Sequence, residues 1–216
     1  MNVIPSINFF DEQSVRGIVP KLKILHERGV DMIHLDISDG KFTKAFMNLA
    51  PAFFDSVLGS DFTFELHLMV QDVGAYLRAW SSSKNVGAVV IHQESDFDFA
   101  DVREFCSMRN ADLAFSLKLD GNLEDFIDMV EVSGATTIEL LSVPIGFSGG
   151  NFDESVLERA AFIKKVHPDL KIFIDGGVNE KTAIPMKKNG VDGVVTGSYL
   201  WQSSDVGLAY DTLKGI

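Results

Sequence analysis

Short apolar runs rich in Val, Ile, Leu and Phe alternate along this chain with stretches whose apolar positions recur at helical spacing. The runs at residues 3–7, 32–38, 62–70, 87–94, 113–119, 136–143, 171–178 and 191–200 are bounded by Gly, Asp, Asn or Ser and predict eight strands. Between them, residues 14–28, 52–58, 73–81, 98–108, 123–132, 154–166, 181–188 and 205–213 predict eight helices. Strict alternation demands parallel strands with right-handed crossovers, and eight such units close into a barrel more naturally than they spread into an open sheet. Near-continuous apolar strands fit burial on both faces. The alternative is an open doubly wound sheet, but no Gly-rich dinucleotide fingerprint follows the first run. One α/β barrel domain over residues 1–216 is therefore expected, without linker or low-complexity segment.

Composition narrows the function classes. A chain of 216 residues, 46% hydrophobic and 23% charged, buries one substantial core and hardly two. No apolar stretch approaches the roughly 18 residues of a membrane span. The start, Met1-Asn2-Val3-Ile4-Pro5-Ser6, lacks the basic opening of a signal peptide, so a cytoplasmic protein is expected. The net charge of −12, unbroken by any basic run, repels nucleic acid and anionic lipid; neither is an expected partner. Cys106 stands alone, which fits a reducing compartment and a packing role.

Candidate chemistry collects at the ends of the strands. Ser6, His34, Asp36, His67, His92, Asp175 and Gly197-Ser198 occupy the ends from which a barrel presents its catalytic groups. His34 and Asp36 are two apart in one strand, so both side chains enter the barrel interior. One histidine alone is more often structural than a ligand. Two imidazoles and two carboxylates, His34, Asp36, His67 and Asp175, suit one divalent transition ion such as zinc, iron, manganese or cobalt; the single cysteine excludes thiolate coordination. Gly-rich backbone at residues 146–150, at Gly176-Gly177 and at Gly197-Ser198 can turn N–H groups toward one phosphate, which needs no basic side chain. Gly146, Gly149, Gly176, Gly177, Gly197 and Ser198 are the candidate contacts.

Pro5-Ser6-Ile7, His34-Leu35-Asp36-Ile37-Ser38-Asp39-Gly40, Glu65-Leu66-His67-Leu68-Met69-Val70, Ile91-His92-Gln93-Glu94, Gly146-Phe147-Ser148-Gly149, Asp175-Gly176-Gly177-Val178-Asn179 and Gly197-Ser198 follow one another in the order of a known motif set. The chain resembles the ribulose-phosphate 3-epimerases over nearly its whole length. The resemblance implies a TIM (β/α)8 barrel in which His34, Asp36, His67 and Asp175 hold one divalent metal ion. Asp36 and Asp175 then also serve as the acid–base pair, and Ser6, His67 and Met69 lie beside the substrate. The implied partner is a small sugar phosphate and the implied reaction the interconversion of D-ribulose 5-phosphate and D-xylulose 5-phosphate. Metal identity and homo-oligomer formation stay open.

The chain departs from the family pattern where Ser38-Asp39-Gly40 precedes Phe42-Thr43-Lys44-Ala45 instead of a Met-Asp-Gly and Phe-Val-Pro-Asn pairing. Leu141-Ser142-Val143 stands for Met-Thr-Val, Ile145 for a proline and Lys118 for an asparagine; Lys118 is expected at the rim with its stem packed. These changes keep a hexulose phosphate such as allulose 6-phosphate as an alternative substrate. A decarboxylase or aldolase on a related barrel requires an Asp-x-Lys-x-x-Asp array, and Asp36-Ile37-Ser38-Asp39 lacks its lysine. A silent phosphosugar-binding protein is the third alternative, disfavoured by retention of all four metal-ligand candidates.

Overall fold

A computed structural model describes residues 1–9, 11–47, 49–146 and 150–216. The strands are β1 (Asn2–Ile7), β2 (Met32–Ser38), β3 (Thr63–Met69), β4 (Val86–His92), β5 (Asp112–Leu117), β6 (Thr137–Leu141), β7 (Lys171–Asp175) and β8 (Gly193–Thr196). They pair in parallel, each with its successor and β8 with β1, to close the barrel. Around it run α1 (Glu12–His26), α2 (Pro51–Leu58), α3 (Val73–Ala79), α4 (Phe99–Arg109), α5 (Leu123–Ser133), α6 (Ser155–Val166), α7 (Glu180–Lys188), α8 (Ser198–Gln202) and α9 (Val206–Lys214). The expected barrel is observed.

The pleat sorts each strand into two sets of side chains. Leu35, Leu66, Leu68, Val89, Ile91, Phe115, Ile138, Ile172, Ile174 and Val194 are sealed from solvent in the apolar core. Burying each of the large aliphatic ones contributes about 1.5–3 kcal/mol. The residues between them carry His34, Asp36 and Ser38 on β2, Glu65 and His67 on β3, His92 on β4, Ser116 on β5, Glu139 on β6 and Asp175 on β7. Register sets these polar residues side by side: Ser6 opposite His34, His34 opposite Glu65, Asp36 opposite His67, His92 opposite Ser116, and Ser116 opposite Glu139.

Asp and Asn caps start most helices. Asp11, Asp72, Asp98, Asn122, Asn179 and Asp205 each accept a backbone N–H in the first turn of the helix that follows. Asp11, Asp72, Asp98, Asn122 and Asn179 follow strand ends and so lie toward the mouth of the barrel, whereas Asp205 follows α8.

The structure corrects the reading of the last unit. The run at 191–200 is not one strand: β8 stops at Thr196, and Ser198 opens α8. Apolar content alone does not separate a buried strand from a buried short helix. Here tertiary contacts decide, since Leu200 is fully buried and the Trp201 indole N–H donates to the Ser6 carbonyl at 2.7 Å. Nine α-helices stand among the described residues where eight were expected.

Candidate active site

His34 and Asp36 leave β2 on its inner face, His67 leaves the adjacent β3, and Asp175 ends β7. His34 Nε2, Asp36 Oδ1 and His67 Nδ1 form a triangle with sides of 3.1, 3.0 and 3.1 Å. Asp175 Oδ2 lies 4.0 Å from His67 Nδ1. All four residues offer ligand atoms within 4.8 Å of one another. Donors bound to one ion at about 2.0–2.2 Å stand about 3–3.5 Å apart, so the triangle matches one face of a coordination sphere. The four sequence candidates therefore converge, and their two nitrogens and two carboxylates fit a divalent transition ion.

Side chains behind the triangle orient it. His34 Nδ1 lies 2.8 Å from Glu65 Oε1, and donation of its N–H to that carboxylate fixes the ring with Nε2 facing Asp36 and His67. His67 Nε2 contacts His92 Nε2 at 2.8 Å and lies 3.4 Å from Glu139 Oε1, which also accepts from the Ser116 hydroxyl at 3.0 Å. Sequence reading assigned no role to Glu65, Glu139 or Ser116 and placed His92 only among the groups at the strand ends. Glu65 and Glu139 did carry a signal, because a glutamate inside an apolar buried strand is costly unless it is paired.

The two aspartates sit in opposed electrostatic environments. Burial pushes Asp36 upward, but hydrogen bonds from His34 and His67 and the charges of both rings hold its carboxyl far below the ordinary range. Burial, the Asp36 charge and the Glu139 charge push Asp175 up to about 8. Burial also opposes the His34 cation, yet Asp36 and Glu65 raise its pKa well above the ordinary value. In His67 burial is likewise outweighed, chiefly by the Glu139 charge and the Asp36 hydrogen bond, and its pKa is raised. His92 goes the other way, lowered well below the ordinary value by burial, His67 and Lys118.

Two cavities meet at this pair, sharing Asn8, Asp36, Val143 and Asp175. One is lined by Ser6, Gly176, Gly177, Val178, Gly197 and Ser198. The N–H groups of Gly177, Val178 and Ser198 point to no acceptor among the described residues. Gly176 and Gly177 have φ of 93° and 59°, and a Cβ on Gly177 would meet the Phe152 backbone at 3.0 Å, so glycine is required there. Ser6 donates to Asp36 Oδ2 at 2.9 Å from the same wall.

The other cavity is lined by Ser38, Ala45, Met69, Leu141, Ile145 and Gly146 and is mostly apolar. Gly146 therefore does not join the other glycines as the three-loop reading expected; Gly149 lies outside the described residues. The loop after β2 roofs this cavity. Asp39 accepts from Lys41 and Phe42 N–H, both at 2.8 Å, and from Gln71 N–H at 2.7 Å, while Thr43 reaches the Ile145 carbonyl at 3.3 Å. Lys118 lines neither cavity. It pairs with Glu94 at 3.2 Å and stands over the Phe42 ring, which packs 5.1 Å from His92.

Comparison with known proteins agrees with the motif order. The model of the ribulose-phosphate 3 epimerase family matches residues 2–201. Ribulose-phosphate 3-epimerase of Helicobacter pylori strain J99 is 28% identical over 191 residues, with 86% of each chain covered. The Encephalitozoon cuniculi enzyme of the same name is 32% identical over 181 residues, covering 84% of this chain and 80% of its own. Among solved structures, a 3-hexulose-6-phosphate synthase superposes over 100% of this chain and 99% of its own with a TM-score of 0.69 at 15% identity, a likeness of fold alone. With the barrel, the four converging side chains and the family match along nearly its whole length, the chain belongs to the ribulose-phosphate 3-epimerase family and is an isomerase of the epimerase class.

Proposed function

We propose that this protein inverts C3 of a ketose phosphate, converting D-ribulose 5-phosphate to D-xylulose 5-phosphate. The observation that carries this reading is the opposed pair of carboxyls at the meeting of the two cavities. Inversion beside a ketone removes a proton from one face of the carbon and returns one to the other, and it needs one group ready to accept and one ready to donate. In the metal-free site hydrogen bonds and charges from the histidines favour ionised Asp36, while burial and the Asp36 and Glu139 charges favour protonated Asp175, so the two carboxyls differ in proton affinity. Asp36 takes the C3 proton and Asp175 supplies its replacement; the roles exchange in the reverse direction. The enediolate between the two steps carries negative charge that must be stabilised. A divalent ion held by His34, Asp36, His67 and Asp175 supplies Lewis-acid stabilisation of the ketone and hydroxyl oxygens when bound.

The glycine-walled cavity supports a phosphate. Its N–H groups at Gly177, Val178 and Ser198, which meet no acceptor among the described residues, suit a dianion and bring no cation into an acidic chain. Fixing the phosphate there places the reacting carbon between the aspartates, so the phosphate contributes to rate as well as affinity. In a pentulose 5-phosphate two carbons separate C3 from the phosphate oxygen; in a hexulose 6-phosphate three do. The distance from cradle to aspartates is thus what selects between these substrates.

Deuterium exchange followed by NMR in heavy water tests the reading on metal-supplemented protein. The expected result is incorporation at C3 of D-ribulose 5-phosphate with formation of D-xylulose 5-phosphate, and slow exchange in hexulose 6-phosphates. Exchange confined to a hexulose phosphate transfers the assignment to that substrate. Its absence from every ketose phosphate, in folded and metal-loaded protein, overturns the epimerase mechanism.

A further inference from the structure

The cavity opposite the phosphate cradle contains one feature that the epimerisation chemistry leaves unused. Its walls, beyond the shared residues, are Ala45, Met69, Leu141, Pro144, Ile145 and Gly146, apart from a single hydroxyl on Ser38. Ser38 is 2% exposed as a residue and lines this cavity. It ends β2 on the face that carries His34 and Asp36, because residues two apart share a face of the strand. A buried hydroxyl directed into an apolar chamber is costly unless a ligand or a water meets it.

With the phosphate in its cradle and C3 between the aspartates, the part of the sugar that extends into this chamber is C2 and C1. The C2 ketone and C3 hydroxyl belong to the aspartate and imidazole wall, where the charge develops. The C1 hydroxyl is then the polar group left in an apolar lobe with Ser38 as its side-chain partner. We propose that Ser38 is a specificity-determining residue whose Oγ hydrogen-bonds the C1 hydroxyl of the ketose, so that the enzyme recognises the sugar end remote from the phosphate. This rests on the function proposed above. Pentulose and hexulose phosphates share the same C1–C2 end, so Ser38 acts on whether C1 bears a hydroxyl and not on chain length. The lining also disfavours an anionic group on C1, since it includes no cationic side chain and already carries Asp36 and Asp175.

The test compares D-xylulose 5-phosphate with 1-deoxy-D-xylulose 5-phosphate, which differ only in the C1 hydroxyl, by the rate of C3 deuterium exchange. Wild-type protein is expected to exchange the hydroxylated sugar with a kcat/KM about 10-fold above that of the deoxy sugar, the worth of one well-made hydrogen bond. Ser38→Ala should lose about 10-fold on D-xylulose 5-phosphate and stay within about 2-fold on the deoxy sugar, which erases the preference. A purely structural serine would lower both rates together, and that outcome overturns the proposal. So does a wild-type enzyme that exchanges the two sugars equally, a result that needs no variant to fold. Failure to exchange either sugar refutes the pentulose 5-phosphate reading and overturns the role of Ser38 that rests on it.

Discussion

Strands β2, β3 and β4 deliver His34, Asp36, Glu65, His67 and His92 into the barrel as side chains, whereas the turns after β7 and β8 deliver backbone N–H groups from Gly177, Val178 and Ser198. The first region is a buried network in which each ring or carboxyl is held by the next. Pairing with His34 and His67 lowers the Asp36 pKa, whereas burial and the charges of Asp36 and Glu139 raise that of Asp175. The second region has almost no functional side chain and depends on backbone shape, which glycine permits and neighbouring residues such as Val143 and Phe152 enforce. Side-chain chemistry can thus be altered one group at a time by conservative substitution. The backbone at Gly177 cannot carry another side chain without straining its turn.

The strongest test of this contrast lies in the side-chain region. Asp36→Asn and Asp175→Asn should each lower kcat by about 100-fold or more, because inversion needs a proton-transfer group on both faces. Both residues are also proposed ligands, so bound metal must be measured beside rate; near-normal turnover in a folded, metal-loaded variant removes that residue from the pair. A smaller effect is expected one residue further back. Glu65→Gln leaves the triangle in place but weakens the acceptor that orients His34, and metal affinity should fall about 10-fold in a competition titration. Unchanged affinity would mean that the triangle holds its shape without Glu65.

In the backbone region Gly197 is a cleaner probe than Gly177, since its φ is −111° and a Cβ there stands 3.2 Å from the Ser6 carbonyl. Gly197→Val should lower kcat/KM for the phosphorylated sugar about 10-fold by crowding the cradle, with metal binding preserved. Full affinity for inorganic phosphate in this variant would place the phosphate elsewhere.

The smallest expected effect is on stability. Asp175, His34 and His67 have raised pKa values in the metal-free fold. A raised value stabilises the folded protein while the group is protonated, fully below the ordinary pKa, and this contribution is lost as pH rises through the raised one. For Asp175 the loss runs from about 4 to about 8, and the two imidazoles add to it above about 6.5. Asp36 acts oppositely, its contribution being lost only in acid. The Tm of chelator-treated protein should therefore fall by several degrees between about pH 5 and about pH 9, and added manganese should restore more at the alkaline end, because ligands must shed protons to bind. A Tm that rises over this range would contradict the opposed states of the two aspartates.

Much of this protein was determined by local sequence alone. Alternation of apolar runs with helical periodicity specified the barrel, since parallel strands linked by helices have few ways to bury both faces. Two-residue spacing put His34 and Asp36 on one face, and the clustering of chemistry at strand ends marked His67 and Asp175. Other features depend on which strands become neighbours. Glu65, His92 and Glu139 gain their partners from register between segments more than 20 residues apart. The end of β8 at Thr196 is set by packing of Leu200 and Trp201, and Gly146 joins the apolar cavity because the loop after β2 folds onto it. Asp36 and Asp175 are identical in sequence terms and shifted in opposite directions, because a pKa reports the burial, charges and hydrogen bonds that surround a group, and only the closed barrel brings those together.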